Sequence, residues 1–171
     1  PDPSYRQVCS HSTGHAETVR VVFDTSATSA ADLIRLFFEI HDPTQVGGQG
    51  NDIGDQYRSQ IWTTTPDQLR VGQALREAYQ EVLSARGFGP IQTVISPAPS
   101  TESNARFWLA EEYHQQYLAK NPGGYECHAR TGVACPELPH ALLEDTSRTR
   151  GGPAQQRWHH PLYSWAQVLI E

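Results

Sequence analysis

The stretch from residue 57 to residue 96 constrains the fold most, because it sets one long helix pattern between two strand patterns. YRSQIWT (57–63) and IQTVIS (91–96) are short runs that we predict as strands. Between them, Thr65 is a good N-cap and the proline after it suits the first helical turn. Apolar residues follow at helical spacing, and Gly87 ends the pattern. The sequence therefore predicts a strand, a helix and a strand in succession.

Other segments extend this alternation in both directions. TVRVVFD (18–24) alternates apolar and polar residues and is rich in β-branched residues, which predicts a strand. A helix is predicted from a cap at Thr28 or Ser29 to about Ile40, followed by a loop over 42–56. FWLAEEYHQQYLAK (107–120) is predicted as another helix, which NPGGY ends. Strands separated by helices indicate an α/β or α+β layer fold.

The character of the chain changes from Glu137 onward. We predict a domain over 1–136 and a divergent tail over 137–171, in which 144–157 has the composition of an unstructured segment. The last stretch, WHHPLYSWAQVLIE, is aromatic and apolar. It is interpreted either as a terminal helix that docks on the domain or as a segment that does not fold.

Bulk composition excludes some classes of protein. A net charge of -6 over 171 residues argues against general nucleic-acid binding. No apolar run approaches the ~20 residues that span a bilayer, and no basic-then-apolar leader opens the chain. The sequence contains no methionine and begins PDPSY. This start predicts that Pro1 is an internal position of a longer protein, or the first residue of a chain cut by a protease.

The cysteine count bears on redox chemistry. Cys9, Cys127 and Cys135 make an odd number in a chain without a visible export signal. Such a count does not predict a secreted disulfide framework. It predicts free thiols, some of them redox-active.

Four polar motifs stand out together. They are PSYRQVCSHSTGHAE (3–17), HDPTQ followed by GNDIGDQYRS (41–59), AEEYHQQYL (110–118) and NPGGYECHARTGVACP (121–136). GNDIGDQYRS is too polar to pack as core, so it is either a solvated loop or the wall of a site that holds a polar group. With these motifs, the sequence resembles the A-type peptide methionine sulfoxide reductases from about Pro3 to Pro136.

The resemblance implies a fold and an activity. The implied fold is α+β, a two-layer α/β sandwich with a mixed sheet and a ferredoxin-like core, here without its first strand and helix. The implied enzyme is a peptide-methionine (S)-S-oxide reductase, an oxidoreductase that repairs oxidised proteins and also reduces free methionine sulfoxide. A cysteine thiolate attacks the sulfoxide sulfur, a proton donor assists the oxygen, and the cysteine becomes a sulfenic acid. A second cysteine forms a disulfide, which thioredoxin reduces.

Four residues match the part of the family's pocket that surrounds the sulfoxide oxygen. Glu17, in TGHAE, matches the acid, which could donate a proton if burial raised its pKa. Asp52 and Tyr57, in GNDIGDQYRS, match the polar wall, and Tyr5 matches a further hydroxyl. Phenol groups can donate a hydrogen bond without a change of charge. Composition alone would instead predict a surface glutamate and half-buried strand tyrosines.

The resemblance also gives roles to the cysteines. Cys127 lies where the family has a resolving cysteine, after Gly123 and Gly124, which could let the segment swing. Cys135 matches a second recycling cysteine that would pass the disulfide to the surface. Cys9 matches a cysteine with no required part in turnover, so we give it none. The alternative is that Cys127 and Cys135 are surface thiols in a floppy segment.

One departure from the family is larger than these matches. The nucleophile belongs to a Gly-Cys-Phe-Trp type of stretch ahead of Pro-Ser-Tyr, and the 171 residues contain no such stretch. The same stretch supplies the Phe and Trp that hold the substrate's methyl group. We therefore expect an N-terminally incomplete copy, with a stretch of this type encoded a few tens of residues before Tyr5 in the intact gene.

The family implies no metal, flavin or nicotinamide cofactor, thioredoxin as electron donor, and a cytoplasmic monomer that binds neither nucleic acid nor membrane. One alternative is a catalytically inactive fragment or a non-catalytic binder of oxidised proteins. The other is a zinc site of Cys127, His128, Cys135 and His140, although their spacing lacks the tight pairs typical of structural zinc.

Overall fold

The computed structural model describes residues 3–99, 107–125, 127, 129–143 and 167–170. Helices and strands are mixed along the chain, as the sequence predicts. The helices are α1 (Tyr5–Val8), α2 (Ala30–Ile40), α3 (Pro66–Ser84), α4 (Tyr117–Lys120) and α5 (His140–Leu143). The strands are β1 (Val19–Val21), β2 (Gly48–Gln49), β3 (Asp52–Ile53), β4 (Gln60–Thr63), β5 (Val94–Pro97) and β6 (Gln167–Ile170), with a 3₁₀ turn at Asp55–Tyr57.

Four of the described strands form one sheet in the order β1-β6-β4-β5. Every pairing in this sheet is parallel, with Ile61 opposite Ile95 on one side and opposite Val168 on the other. The expected mixed sheet is therefore not the arrangement of these strands. The physical reason is the connection, since β4 returns to β5 through the long crossover helix α3, and such crossovers join parallel strands. The sandwich and ferredoxin-like details stay predictions.

The two long helices begin where the sequence predicts them. Ser29 caps α2, its hydroxyl accepting from the Asp32 backbone N–H at 3.1 Å. Thr65 caps α3 in the same way, accepting from the Gln68 backbone N–H at 3.2 Å, and Pro66 occupies the first turn. Such caps satisfy backbone donors that have no partner within the helix, and each is worth ~1 kcal/mol.

The core lies between these two helices and the sheet. Its members are fully buried side chains from both layers, so burial of apolar surface holds the helices on the sheet. They include Ile34, Phe38, Ile61, Leu75, Tyr79, Leu83 and Ile170. This frame supports the 42–56 segment, which we expected to be loop. The structure places in it the small antiparallel hairpin β2–β3 and the 3₁₀ turn that carries Tyr57.

The predicted helix over 107–120 is wrong for most of its length. Only Tyr117–Lys120 is helical, and residues 112–116 form turns. Gln116 has a left-handed backbone with φ +54°, which an α-helix of L-residues cannot accommodate. The apolar residues of this segment do recur at helical spacing. That spacing carries no information about the left-handed backbone of Gln116.

The tail also departs from expectation where it is described. Gln167–Ile170, expected either in a docking helix or in a segment that does not fold, form β6 between β1 and β4. A short apolar run suits a central parallel strand, because both faces of such a strand are covered. The Thr64 hydroxyl donates to the Ile170 carbonyl at 3.0 Å beside it. Residues 144–166 lie outside the described residues, and the boundary at residue 136 stays a prediction.

Candidate active site

Glu17 and Tyr57 are brought together by a backbone contact between distant parts of the sequence. The Glu17 N–H donates to the Gln56 carbonyl at 2.9 Å. This hydrogen bond links the residues just before β1 to the 3₁₀ turn. Asp52 begins β3 just before that turn, and Tyr5 lies on α1. The charges of Asp52 and Glu17 act on the same group of residues, so the structure brings together the four residues predicted around the sulfoxide oxygen.

The Glu17 carboxyl group is held near half-protonation at neutral pH. Burial, and secondly the charge of Asp52, raises its pKa to about 7 against an opposing hydrogen bond from Tyr57. Its Oε1 atom is buried and has no hydrogen-bond partner among the described residues. A carboxyl group in this state can donate a proton at neutral pH.

The two tyrosines remain neutral hydrogen-bond donors. Burial raises the pKa of Tyr57 well above its ordinary value, and the charges of Glu17 and Tyr5 add to the effect. A hydrogen bond with Cys9 is the main cause that raises the pKa of Tyr5 to about 12, followed by burial. Both phenols therefore keep their protons across the physiological range.

Two residues that we had not assigned to the site also contact it. The Cys9 thiol is hydrogen-bonded with Tyr5, although we gave Cys9 no role. Cys9 lies one helical turn after Tyr5, and its N–H donates to the Tyr5 carbonyl at 2.9 Å. The spacing of four residues could have indicated from the sequence that the two side chains are neighbours. Tyr125 donates from its hydroxyl to Asp52 Oδ2 at 3.2 Å, and only the NPGGY motif hinted at it.

Cys127 is buried beside the hairpin, which contradicts the alternative of two surface thiols. Its Sγ atom donates to the Gln49 carbonyl at 3.3 Å. Gly50 makes room for it, since a Cβ added to Gly50 would lie 2.7 Å from that sulfur. The φ of Gly50 is also +59°, a conformation that glycine adopts at little cost.

Cys135 lies in the hydrophobic core, and not at the surface to which we expected it to pass a disulfide. Only 1% of the residue is exposed. Burial, assisted by the charge of Glu39 and opposed by Arg35, raises the pKa of its thiol to about 12. Because the thiolate is the nucleophile in disulfide exchange, Cys135 is unreactive in this arrangement, and its recycling role stays a prediction.

The zinc alternative receives no support from the part of the chain that the structure describes. No group of three or more His, Cys, Asp or Glu side chains that could hold a metal ion lies within those residues. His128, one of the four proposed ligands, lies outside the described residues. In the described segments, moreover, no helix has the length and apolar content that a membrane crossing requires.

Taken together, these residues place a carboxyl group that can give a proton beside neutral hydrogen-bond donors. One acid can give a proton, two phenols can donate hydrogen bonds, and a buried cysteine, Cys127, packs against the β2–β3 hairpin. A proton donor and neutral hydrogen-bond donors beside a buried thiol are groups that thiol-based redox chemistry can use. The model of the family described as "Peptide methionine sulfoxide reductase" matches residues 1–143, and the chain belongs to that family.

Curated relatives agree with this assignment. The chain is similar to the peptide methionine sulfoxide reductase MsrA of Azorhizobium caulinodans, with 53% identity over 137 residues, 80% of this chain and 60% of the relative. It is also similar to that of Rhodospirillum centenum, with 50% identity over 145 residues, 85% of this chain and 63% of the relative. The chain thus spans about 60% of the length of these relatives.

Solved structures show the same likeness in three dimensions. Methionine sulfoxide reductase A of Corynebacterium diphtheriae superposes with a TM-score of 0.65 at 41% identity, over 80% of this chain and 66% of that one. Mxr1 from Saccharomyces cerevisiae in reduced form gives a TM-score of 0.62 at 35% identity, over 74% and 65%. The overall class predicted from the sequence, mixed helices and strands of this family, is confirmed.

Asp52 is expected to control the proton affinity of Glu17. Changing Asp52→Asn removes the second cause of the raised pKa, so we expect the Glu17 pKa to fall below 7 while staying above its ordinary value, because burial remains. Carboxyl ¹³C NMR titration measures this directly. Asp55→Asn is the control, since Asp55 is exposed and is not among the causes of the Glu17 shift. An unchanged Glu17 pKa in Asp52→Asn would contradict the assigned cause.

Proposed function

We propose that this protein acts as a peptide-methionine (S)-S-oxide reductase, converting the S-epimer of methionine sulfoxide to methionine in proteins and in the free amino acid. The observation that carries the proposal is Glu17, whose pKa is raised to about 7 beside Asp52 and two neutral tyrosines. A sulfoxide oxygen is an acceptor only, so this set of donors suits it. Membership of the family supports the same reading.

The proton is the contribution of Glu17 to the reaction. In the net step a thiol and a sulfoxide give a sulfide and a sulfenic acid, so the sulfoxide sulfur is reduced and the cysteine sulfur is oxidised. As the S–O bond breaks, the oxygen needs a proton, which Glu17 can give near neutral pH. Tyr57 and Tyr5 polarise the same oxygen by donating hydrogen bonds.

The family pattern places the attacking thiol in a Gly-Cys-Phe-Trp type of stretch, which the 171 residues do not include. The residues of this chain therefore supply the proton, the polarising donors and the recycling thiols. Cys127 would condense with the sulfenic acid, forming a disulfide and water. A reduced dithiol protein of the thioredoxin type would then reduce that disulfide by exchange.

The same proposal implies an electron donor, a location and an oligomeric state. Thioredoxin would be the electron donor, without metal, flavin or nicotinamide bound to this protein, which would act as a cytoplasmic monomer. The three free cysteines support a thiol-based electron path.

The test uses the protein as expressed from its complete gene, supplied with the thioredoxin system and separate epimers of protected methionine sulfoxide. We expect methionine from the S-epimer only. Cys127→Ser should stop repeated turnover but leave the first turnover intact, because only recycling needs this thiol. Reduction of both epimers alike, or of neither, would overturn the proposal.

The 171-residue chain offers a second assay, in which we expect no turnover because the attacking thiolate is absent. Measurable turnover would contradict this expectation. Its loss in Cys9→Ser would then identify Cys9, which is hydrogen-bonded with Tyr5, as a recruited nucleophile. Turnover that survives Cys9→Ser would exclude Cys9 from that role.

A further inference from the structure

Both recycling cysteines lie on one docked segment, Cys127 with residues 129–138, here called the strap. At its first end the strap rests on the β2–β3 hairpin. The Cys127 thiol donates to the Gln49 carbonyl at 3.3 Å, and the Gln49 side-chain amide donates to the Ala129 carbonyl at 3.0 Å. Gly50 leaves just enough room for the sulfur.

The other end of the strap is attached to α2 and α3. The Tyr79 hydroxyl donates to the Val133 carbonyl at 2.7 Å and is hydrogen-bonded with the Thr131 hydroxyl at 2.9 Å. At Cys135 both backbone groups are engaged. Its N–H donates to Glu39 Oε1 at 2.8 Å, and its carbonyl accepts from Arg35 Nε at 3.3 Å.

The two ends are held with unequal strength. The first end has one hydrogen bond between neutral groups, from the Gln49 amide to the Ala129 carbonyl, and the weak donation of the Cys127 thiol, so the fit of that sulfur against Gly50 matters there. The second end has two hydrogen bonds to charged side chains, which are roughly twice as strong as neutral ones, and its thiol is in the core. Detachment of the strap should therefore begin at Cys127.

We propose that the strap is a sequential latch, in which the Cys135 thiol becomes reactive only after Cys127 has left its position against Gly50. The inference rests on the proposed function for the event that moves Cys127. When the Cys127 thiol condenses with a sulfenic acid, a disulfide and water form, and the enlarged sulfur no longer fits beside Gly50. The core thiol is thereby kept reduced until the first disulfide exists.

Gly50 provides the sharpest test, because Gly47 is a matched control. Both have left-handed backbones, with φ +59° and +65°, yet a Cβ at Gly47 would meet nothing within 4 Å. We expect Gly50→Ala to speed iodoacetamide labelling of both Cys127 and Cys135 by about tenfold or more, which corresponds to ~1.4 kcal/mol of lost docking. Gly47→Ala should change neither rate beyond about twofold after correction for its measured stability. Peptide mass spectrometry reads each cysteine separately.

Tyr79 tests the second end alone. Tyr79→Phe removes both hydroxyl contacts and keeps the ring in the core, so we expect faster labelling of Cys135 and an unchanged rate at Cys127. Tyr113→Phe, at an exposed tyrosine outside the strap, should change neither. Labelling through local release should depend weakly on urea, whereas labelling through global unfolding follows the full dependence.

Two results would overturn the latch. One is equal labelling of Cys127 and Cys135 in the unmodified protein. The other is a Gly50→Ala variant that exposes Cys127 while Cys135 stays as protected as before. The labelling assay contains no sulfoxide and no reductase system, so a failure of the proposed function leaves its outcome unaffected, and the two proposals can fail separately.

Discussion

In the protein expressed from its complete gene, Glu17→Gln is expected to slow the release of methionine in a single turnover by at least about tenfold, since general acids typically contribute ~10²–10⁴-fold. Glutamine keeps the shape of the side chain and can donate a hydrogen bond, but it cannot transfer a proton. The measurement excludes thioredoxin recycling, because only the first turnover is followed. Substrate binding should be largely retained, since the family pattern assigns the substrate's methyl group to a Phe and a Trp that this change leaves alone.

Tyr57→Phe is a second variant whose single-turnover rate is compared with that of Glu17→Gln. It should cost less, because Tyr5 and Asp52 remain near Glu17 and, in the proposed mechanism, still polarise the sulfoxide oxygen. Should Glu17→Gln react at the unmodified rate while Cys127→Ser blocks only recycling, the acid role is wrong. Glu17 would then be a half-buried carboxylate with no part in the chemistry.

Folding of the Glu17→Gln variant can be checked by its stability. The folded pKa of Glu17, about 7, lies above its ordinary value of 4.5, so its contribution to stability declines as pH rises through this window. Glutamine carries no such penalty. At pH 8 the variant should therefore unfold at a urea concentration at least as high as that of the unmodified protein, and a slower reaction cannot be attributed to unfolding.

Acid is expected to destabilise the fold through His41, by about 3 kcal/mol between pH 7 and pH 4. His41 is fully buried, and its Nδ1 lies 2.6 Å from the Phe37 carbonyl, which can only accept. Nδ1 therefore carries the proton, and Nε2 accepts from the Ser59 hydroxyl at 2.8 Å. The Ser59 oxygen in turn lies 2.7 Å from the Thr93 hydroxyl. This network uses the neutral imidazole.

The sign of the pH effect follows from the pKa of His41. Burial lowers it from 6.5 to about 4, against the Phe37 hydrogen bond and the charge of Asp42, which oppose the shift. Between these values the unfolded chain binds more protons than the folded one, so stability rises with pH. Glu17 acts in the opposite direction over 4.5 to 7, so the His41 contribution must be taken as a difference between variants.

Urea unfolding of His41→Gln and of the control His11→Gln, at an exposed histidine, measures this difference. At pH 7 we expect His41→Gln to cost about 2–4 kcal/mol, because its partners lose well-placed hydrogen bonds in the core. The loss should shrink as the pH approaches 4. A constant difference across that range would show that His41 does not carry the acid sensitivity.

The two long helices that build the core could be predicted from local signals in the sequence. Ser29 and Thr65 mark their helices through capping chemistry that acts within three residues, so α2 and α3 were predicted correctly. The site residues around Glu17 were found by motif, and the structure brings them together. Their catalytic roles stay predictions.

Other features depend on contacts that no local pattern encodes. The left-handed backbone of Gln116 ends a helical spacing that continues in the sequence. Burial of Cys135 follows from the way the strap crosses α2, which its thiol alone could not indicate. The Tyr125–Asp52 contact joins residues 73 positions apart. In each of these examples tertiary packing outweighed the local signal.

The position of β6 has a consequence for how the chain reaches its native state. β6 comes last along the sequence among the described strands, yet it separates β1 from β4 in the sheet. A ribosome delivers those two strands long before the one that joins them, so their inner hydrogen-bonding edges stay open during synthesis. Open edges can pair with other chains, and closure over more than a hundred residues is slow. Nascent chains of this protein should therefore depend on chaperones until residue 170 has emerged.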